Sequence, residues 1–384
     1  LFRSVTIDHP IQITGNVTIC LNGQTIKSTA EGMPVFEVVS GSLTLTDCGS
    51  EGKVTRAYNV AGGGVEVTGG TFNLYGGKIT GNTAANGGGV KLTGGTFNMY
   101  GGEIADNKAA GHVKGTGNGG GVYVSGGTFN MRGGSITNNK TEIYDQGEGT
   151  GGGVYVYNSG TFNLYDGGEI KDNTATQYGG GVYVGSNGQA GTFHMYGGKI
   201  TNNTGTQHGG GVYVYEGAFD MDDGEISGNK TNGSGGGVRV SRMKCVFTMR
   251  GGKIRDNTAS SGGGVSVVDD GAFTMRGGSI TDNKTTGTGG GVSMNRGGKF
   301  TVSGTAVIKD NKMGNADNNV HLLENKPITV SGHLDDGASI GVTMENAAAD
   351  VAIATGTGLN DGDAKKFESD LNGFAVSVNE EQTC

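Results

Sequence analysis

The sequence predicts an all-β protein, a right-handed parallel β-helix (solenoid) with irregular N-terminal coils and a C-terminal cap. Glycine supplies 81 of the 384 residues, and the tetrapeptide GGGV returns nine times at intervals of 25 to 32 residues. Between the copies, short runs alternate apolar and polar residues, which is typical of half-buried strands. Because the glycines are periodic and flanked by β-branched residues, the composition does not indicate disorder. Coils one to nine begin at Gly62, Gly87, Gly119, Gly151, Gly179, Gly209, Gly235, Gly262 and Gly289.

Each repeat contains three extended runs and no helical stripe. In coil four the first run is Val154–Val156, the second is Thr161–Tyr165, and the third is centred on Ile170. Three strands in a repeat of this length form one coil of a parallel β-helix. Leucine-rich repeats are a poorer fit because their leucine spacing is absent, and propeller blades are longer than these repeats.

An asparagine recurs at one position of every repeat, directly after a Gly, an Asp or another Asn. Those three residue types tolerate a left-handed backbone. We therefore expect a sharp turn there, with a ladder of asparagine side chains that hydrogen-bond along the axis. The nine residues are Asn82, Asn107, Asn139, Asn173, Asn203, Asn229, Asn257, Asn283 and Asn311.

The two ends differ from the repeats, which divides the chain into three parts. We assign residues 1–61 to an N-terminal cap and first irregular coils, 62–318 to the nine-repeat β-helix, and 319–384 to C-terminal coils and a cap. Within the last part, residues 326–345 have the pattern of strands, and Asp361–Asn372 that of a short helix. A closing cap is expected because an open coil exposes strand backbone.

Charge and hydropathy exclude some partners. The net charge of −8 argues against nucleic acid and against an anionic membrane surface. No apolar stretch approaches the length of a membrane span, so we expect no insertion. Because the chain begins at Leu1, we expect a processed piece whose leader or anchor lies outside it. Cys20 and Cys48 are separated by about one repeat, which leaves both a disulfide and two free thiols open.

The repeat also resembles that of a known group of surface proteins. Ile79, Asn82 and Ala84 precede the GGGV of coil two, and this order returns in coil five. It resembles the repeat of the chlamydial polymorphic outer-membrane adhesins, and more generally the pectate-lyase-like β-helices, over residues 62–318. The resemblance implies a β-helix that is secreted or attached to a cell surface. Polysaccharide, glycan or a host surface protein would then be the partner.

Tyrosines are frequent at the strand positions whose side chains are predicted, from the alternation of apolar and polar residues, to point away from the core. Because neighbours in a strand face opposite sides, the outward residues of the first run are tyrosines in coils three to six. Such a row could only stabilise the β surface, or it could bind sugars or peptides through aromatic faces and phenol groups. The candidate ligand-binding residues are Tyr123, Tyr155, Tyr183 and Tyr213 on the first run, and Tyr165, Tyr196 and Arg250 on the second.

One patch carries residue types that could perform chemistry. Asp220 stands where earlier coils have Asn, His194 precedes it in the same stack, and Asp222 lies two residues further along. A carboxylate pair is what glycoside hydrolysis requires, and the same oxygens are compatible with Ca²⁺ coordination. Sequence drift on a solvated face is the third interpretation. No other cofactor is indicated, and the metal-ligand set is unknown.

The sequence therefore leads to two main hypotheses. The first is an extracellular bacterial surface adhesin or glycan-binding module, a monomer that uses an exposed tyrosine-rich face. The alternative is a carbohydrate-active enzyme, a polysaccharide hydrolase or lyase, with Asp220, Asp222 and His194 as its acidic site around coils five and six. A purely structural spacer is a third hypothesis.

Overall fold

The chain folds into a parallel β-solenoid of about 12 turns, which confirms the all-β fold class. This computed structural model describes residues 1, 3–56, 62–185, 188–323, 326–348, 351–357 and 359–377. Strands of successive turns pair in parallel and form three long columns, which together make one sheet of 37 strands. A further 10 short strands form a second sheet, the fourth column.

The first column holds the strands that follow GGGV and their equivalents in the end coils. These are Ile11–Ile13, Phe36–Val38, Val65–Val67, Val90–Leu92, Val122–Val124, Val154–Val156, Val182–Gly185, Val212–Tyr215, Val238–Ser241, Val265–Val268, Val292–Met294 and Val320–Leu322.

The second column holds the strands that are built around a buried phenylalanine in the repeats, together with their equivalents in the end coils. These are Asn16–Cys20, Ser42–Thr46, Thr71–Leu74, Thr96–Met99, Thr128–Thr137, Thr161–Lys171, Thr192–Met195, Ala218–Met221, Val246–Met249, Ala272–Met275, Lys299–Gly304, Ile328–Leu334 and Ala354–Thr355. Two of them, Thr128–Thr137 and Thr161–Lys171, continue into the third column.

The third column holds the strands that in the repeats are built around a buried isoleucine and precede the asparagine turn, together with their equivalents in the end coils. Its other members are Val5–Ile7, Thr25–Ser28, Lys53–Arg56, Lys78–Thr80, Glu103–Ala105, Lys199–Thr201, Glu225–Ser227, Lys253–Arg255, Ser279–Thr281, Val307–Lys309, Ser339–Met344 and Phe367–Ser369.

The fourth column follows the asparagine turn. It consists of Thr83–Ala84, Lys108–Gly111, Lys140–Ile143, Thr174–Ala175, Thr204–Gly205, Lys230–Thr231, Thr258–Ala259, Lys284–Thr285, Lys312–Met313 and Ala316–Asp317. The last two strands of this column pair antiparallel, whereas the others pair in parallel.

The core is a stack of identical layers, as the alternation predicts. In coil five, Val182 and Val184 point inward from the first strand, Phe193 and Met195 from the second, and Ile200 from the third, and all are fully buried. The phenylalanine rings of successive coils stack with centroids 4.5 to 4.9 Å apart. Burial of these side chains is the main stabilising contribution.

The asparagine ladder is confirmed. All nine side chains are fully buried, and each donates from Nδ2 to the Oδ1 of the next coil at 2.9 to 3.0 Å. The preceding residue has a φ between +54° and +67° in every coil, as the left-handed turn requires. The ladder ends where Asn319 donates to the Asp370 carboxylate at 2.6 Å.

Each of the three glycines of GGGV is required for a different structural reason. Gly179 has a φ of +65°. A Cβ on Gly180 would lie 2.4 Å from the carbonyl oxygen of Gly210, and one on Gly181 would lie 2.8 Å from Ile200 Cγ2. The repeat is therefore glycine-rich because the chain after the asparagine turn approaches the next coil too closely for side chains.

The two end regions contain a disulfide and a helix that is shorter than expected. Cys20 and Cys48 form a disulfide. Strands lie within residues 326–345, but the expected helix over Asp361–Asn372 is limited to Asp361–Ala364 and is followed by a strand. The Asn360 side chain caps that single turn.

The three-part division of the chain stays a prediction. The proposed boundary between residues 61 and 62 falls beside residues 57–61, which lie outside the described residues. Among the helices of the described residues, none is long and apolar enough to cross a membrane.

Candidate functional site

The tyrosines of the first column are not the exposed face that the alternation predicts. They stack in register, but Tyr155, Tyr183 and Tyr213 are only 4%, 9% and 4% exposed, and Tyr123 is half-buried. The expectation that these residues form an exposed face is therefore wrong for three of the four, whereas their role in ligand binding stays a prediction. Burial raises the pKa of the phenols of Tyr155, Tyr183 and Tyr213, as removal from water disfavours the phenolate.

The chain between the asparagine turn and GGGV covers this row. The Tyr178 ring, which ends that segment in coil four, lies 5.1 Å from the Tyr213 ring. Glu148, at the same part of coil three, is close enough to influence the titration of Tyr155 and Tyr183. The first column thus has a second layer outside it, and its tyrosines form a small outer core.

The second column carries the tyrosines that meet solvent. Tyr75, Tyr100 and Tyr196 are 53%, 41% and 43% exposed, and Tyr165 is half-buried. We call the eight residues at this position the outer row. It consists of Tyr75, Tyr100, Arg132, Tyr165, Tyr196, Asp222, Arg250 and Arg276.

Side chains of the outer row stack along the axis of the solenoid. Tyr75 stacks on Tyr100 with centroids 4.6 Å apart, and Tyr165 on Tyr196 at 5.0 Å. The Arg132 guanidinium lies 4.3 Å from the centroid of the Tyr165 ring, within range of a cation–π interaction. Within each stack the rings cover one another's faces, so hydroxyl groups and ring edges point to solvent.

A polar row runs beside the outer row, two residues earlier on the same strands. The amides of Asn73, Asn98, Asn130 and Asn163 form a half-buried ladder with bonds of 2.8 to 3.0 Å. The ladder stops in coil five, where His194 takes the place of asparagine. Both rows therefore change their residue types in coils five and six.

The structure brings the predicted acidic patch together. His194 pairs in register with Asp220, and its Nδ1 lies 3.7 Å from Asp220 Oδ2. Arg250 Nη1 contacts both Asp220 Oδ1 and Asp222 Oδ1 at 3.0 Å. One guanidinium nitrogen therefore bridges the two carboxylates, and His194 lies beside Asp220 alone.

The same patch leaves an aromatic face open. The Tyr196 ring stacks on Tyr165 on one side, and the next coil contributes the short side chain of Asp222 instead of a ring. The His194 ring lies 5.9 Å from the Tyr196 ring. An aromatic platform is therefore bordered by two carboxylates, a guanidinium and an imidazole.

Neither metal binding nor an enclosed pocket is indicated at this patch. The described residues contain no group of three or more His, Cys, Asp or Glu placed to hold a metal ion. The nearest depression, about 270 Å³, is lined by Asp166, Lys199, Asp223, Glu225 and Lys253 and by none of the predicted catalytic residues. Three carboxylates and two lysines line it, and such a mixture of charges is expected of a solvated surface.

Alternation along the second run already places all eight residues of the outer row on its outward side, and each follows the buried run of its strand. Among them only Tyr165, Tyr196 and Arg250 were candidate ligand-binding residues, and Tyr75, Tyr100 and Arg132 extend that set by three coils. Comparisons with protein-family models, with curated protein sequences and with solved structures found no match to this chain.

Proposed function

We propose that this protein is an extracellular, cell-surface binding module of the adhesin type that holds a polysaccharide or glycan on the outer row of its second column. The observation that carries the proposal is the solvent-exposed series of tyrosines and arginines on one flat sheet face. Aromatic side chains with a polar handle suit ligands that present both apolar and hydroxylated surface. Tyr196, beside Asp220, Asp222 and Arg250, is the proposed centre.

The charges of the row suggest what kind of glycan it prefers. The chain as a whole is acidic, yet the row contains three arginines. Within the described residues, Arg132 and Arg276 form no ion pair, whereas Arg250 is paired twice. Guanidinium groups bind carboxylate and sulfate well, so we propose an acidic polysaccharide or an acidic host glycan as the ligand.

The proposed location is secreted or surface-attached. The Cys20–Cys48 disulfide supports it, because disulfides form and persist mainly in oxidising compartments. The resemblance to surface adhesins over residues 62–318 supports it independently. The core side chains of each coil are buried against the coils before and after it in the same chain. Because the core needs no second copy of the protein, we propose that the chain binds as a monomer.

The proposal is tested by retention on immobilised acidic and neutral polysaccharides from plants and mucins. We expect retention of the protein on an acidic polymer and a loss of about tenfold or more in affinity for Tyr196→Ala. The matched control is Tyr183→Phe, which keeps a buried ring in the first column and should bind as the original does. Equal retention of both variants, or no retention of the unaltered protein, would contradict the proposal.

The same incubation addresses the enzymatic alternative. New reducing ends or unsaturated products that vanish in Asp220→Asn or Asp222→Asn would establish a hydrolase or lyase at the patch. We expect no such products, because both carboxylates are paired with the same Arg250 nitrogen.

A further inference from the structure

The outward row of the first column changes character after coil six. Tyr213 pairs in register with Arg239, Arg239 with Ser266, and Ser266 with Ser293. The covering segments continue over these coils, where Ser234 pairs with Ser261 in the layer outside. The rings that separate the two layers in coils three to six are therefore replaced by a guanidinium and two hydroxyl groups.

Arg239 is a buried cation without a carboxylate partner. It is 9% exposed, and its Nη1 donates to Ser234 Oγ and lies 3.2 Å from His208 Nδ1. Its guanidinium carbon lies 5.7 Å from the centroid of the Tyr213 ring. Among the residues that the structure describes, no carboxylate forms an ion pair with it, and its Nε has no hydrogen-bond partner.

His208 does not supply the missing negative charge, nor does it add a positive one. Burial and the neighbouring Arg239 lower its pKa to about 4, so the imidazole is neutral near pH 7. A charge removed from water without a counter-charge costs several kcal/mol. The surroundings of Arg239 therefore lack an anion.

A second unsatisfied donor lies on the adjacent coil. Ser266 is fully buried, and its Oγ has no partner among the described residues. It stands directly opposite Arg239 in the ladder, about 4.8 Å away along the axis. Beyond it, Ser261 donates to Ser293 at 3.0 Å, so those hydroxyls satisfy one another and leave Ser266 alone.

We propose that the space between Arg239 and Ser266, under the segment that carries Ser234, binds a small oxyanion. The Arg239 Nε–H and the Ser266 hydroxyl are buried donors without partners at paired positions of adjacent coils, and a charged acceptor bound by both would also neutralise the guanidinium. Sulfate is the probe of choice, because its oxygens accept from several donors at once. The site lies in the first column, away from the outer row, and does not depend on the proposed glycan binding.

Anion binding is measured by thermal unfolding with increasing sulfate, chloride being withdrawn to hold the ionic strength constant. We expect a saturable rise in Tm for the unaltered protein, because a ligand bound only to the folded state stabilises it. Arg239→Gln should lose the saturable rise in Tm. It should keep the smaller, non-saturating rise in Tm that sulfate causes in folded proteins generally. Ser266→Ala, which keeps the charge, should bind sulfate about 10- to 100-fold more weakly, as expected for one lost hydrogen bond to a charged group.

Two further measurements do not depend on the variants folding. A bound anion should raise the pKa of His208 in an NMR titration, since nearby negative charge favours the imidazolium ion. Crystals soaked in selenate should show anomalous scattering between Arg239 Nε and Ser266 Oγ. An unchanged His208 titration, a sulfate response identical in all three proteins, or a single water molecule at that position would overturn the proposal.

Discussion

Two rows of tyrosines project from the outside of the same solenoid, and only one of them reaches solvent. In the first column Tyr155 and Tyr183 are stacked and buried, whereas in the second column Tyr165 and Tyr196 are stacked and far more exposed. The strands that carry them have the same alternation and the same spacing. The difference arises because the chain after each asparagine turn folds back over the first column and leaves the second uncovered.

The comparison shows that outward and exposed are separate properties in a solenoid. Alternation decides which side chains leave the core, but the covering segments decide which of these meet water. Substitutions of outward residues in the first column should therefore change the free energy of unfolding, and substitutions in the second column should change ligand binding. Three comparisons of variants test this difference between the covered and the uncovered side of the solenoid.

The largest effect is expected from removing one ring of each row. Tyr183→Ala should cost about 3–5 kcal/mol in the free energy of unfolding, as for other large-to-small changes in a core. Tyr196→Ala should cost less than about 1 kcal/mol, because the ring is 43% exposed. Denaturant unfolding of both variants gives the two values. Similar costs would show that the covering layer does not protect the first column.

The two asparagine ladders give the next contrast. Asn229→Ala removes the acceptor of both the backbone N–H and the Nδ2 of Asn203, so buried donors remain unpaired. We expect a cost of about 2–4 kcal/mol. Asn163→Ala, on the half-buried ladder of the second column, should cost about 0.5–1 kcal/mol. Unfolding curves in denaturant measure both, and an equal cost would contradict the assignment of the buried ladder as the stabilising one.

The third effect is a pH dependence confined to the covered side. His208 has a folded-state pKa of about 4 against 6.5 in the unfolded chain. Above pH 6.5 it is neutral in both states. As the pH falls from 6.5 to 4, His208 binds a proton in the unfolded chain but not in the folded protein. The free energy of unfolding therefore declines over this range. The decline due to this group ends near the folded-state value.

The matched variant for this test is His208→Asn, because the equivalent position is already asparagine in earlier coils, at Asn86 and Asn118. The difference in unfolding free energy between the variant and the original isolates this residue from other titrating groups. We expect that difference to shift in favour of the variant between pH 6.5 and 4. A difference independent of pH would show that His208 is not buried in the folded protein.

The sequence predicted the repeating parts well because the same physical requirement restricts the residue types at equivalent positions of every repeat. The left-handed turn restricts the residue before Asn203 to types such as Asn202, and the stacked core restricts the positions of Phe193 and Ile200. Register along the repeat also placed His194 next to Asp220 correctly. Nine independent copies of one pattern leave few alternative folds.

What depends on the layer outside the coil could not be predicted. Nothing in the five residues between Asn173 and Gly179 shows that they turn back over Tyr183. The double contact of Arg250 with Asp220 and Asp222 depends on side-chain rotamers, which repeat spacing does not define. The length of the C-terminal helix depends on the strand Phe367–Ser369, which pairs with Ser339–Met344 although the repeat pattern is absent from this part of the chain.

The hydrogen bonds between coils run along the axis of the solenoid, and this has a mechanical consequence. A pulling force applied to the two ends of the chain acts on the outermost coil first, because each coil is bound only to its neighbours. Under tension the protein should unwind in steps, each freeing 25 to 32 residues, or on the order of 100 Å of extended chain. The chain would thereby lengthen and dissipate force while its remaining coils stay folded.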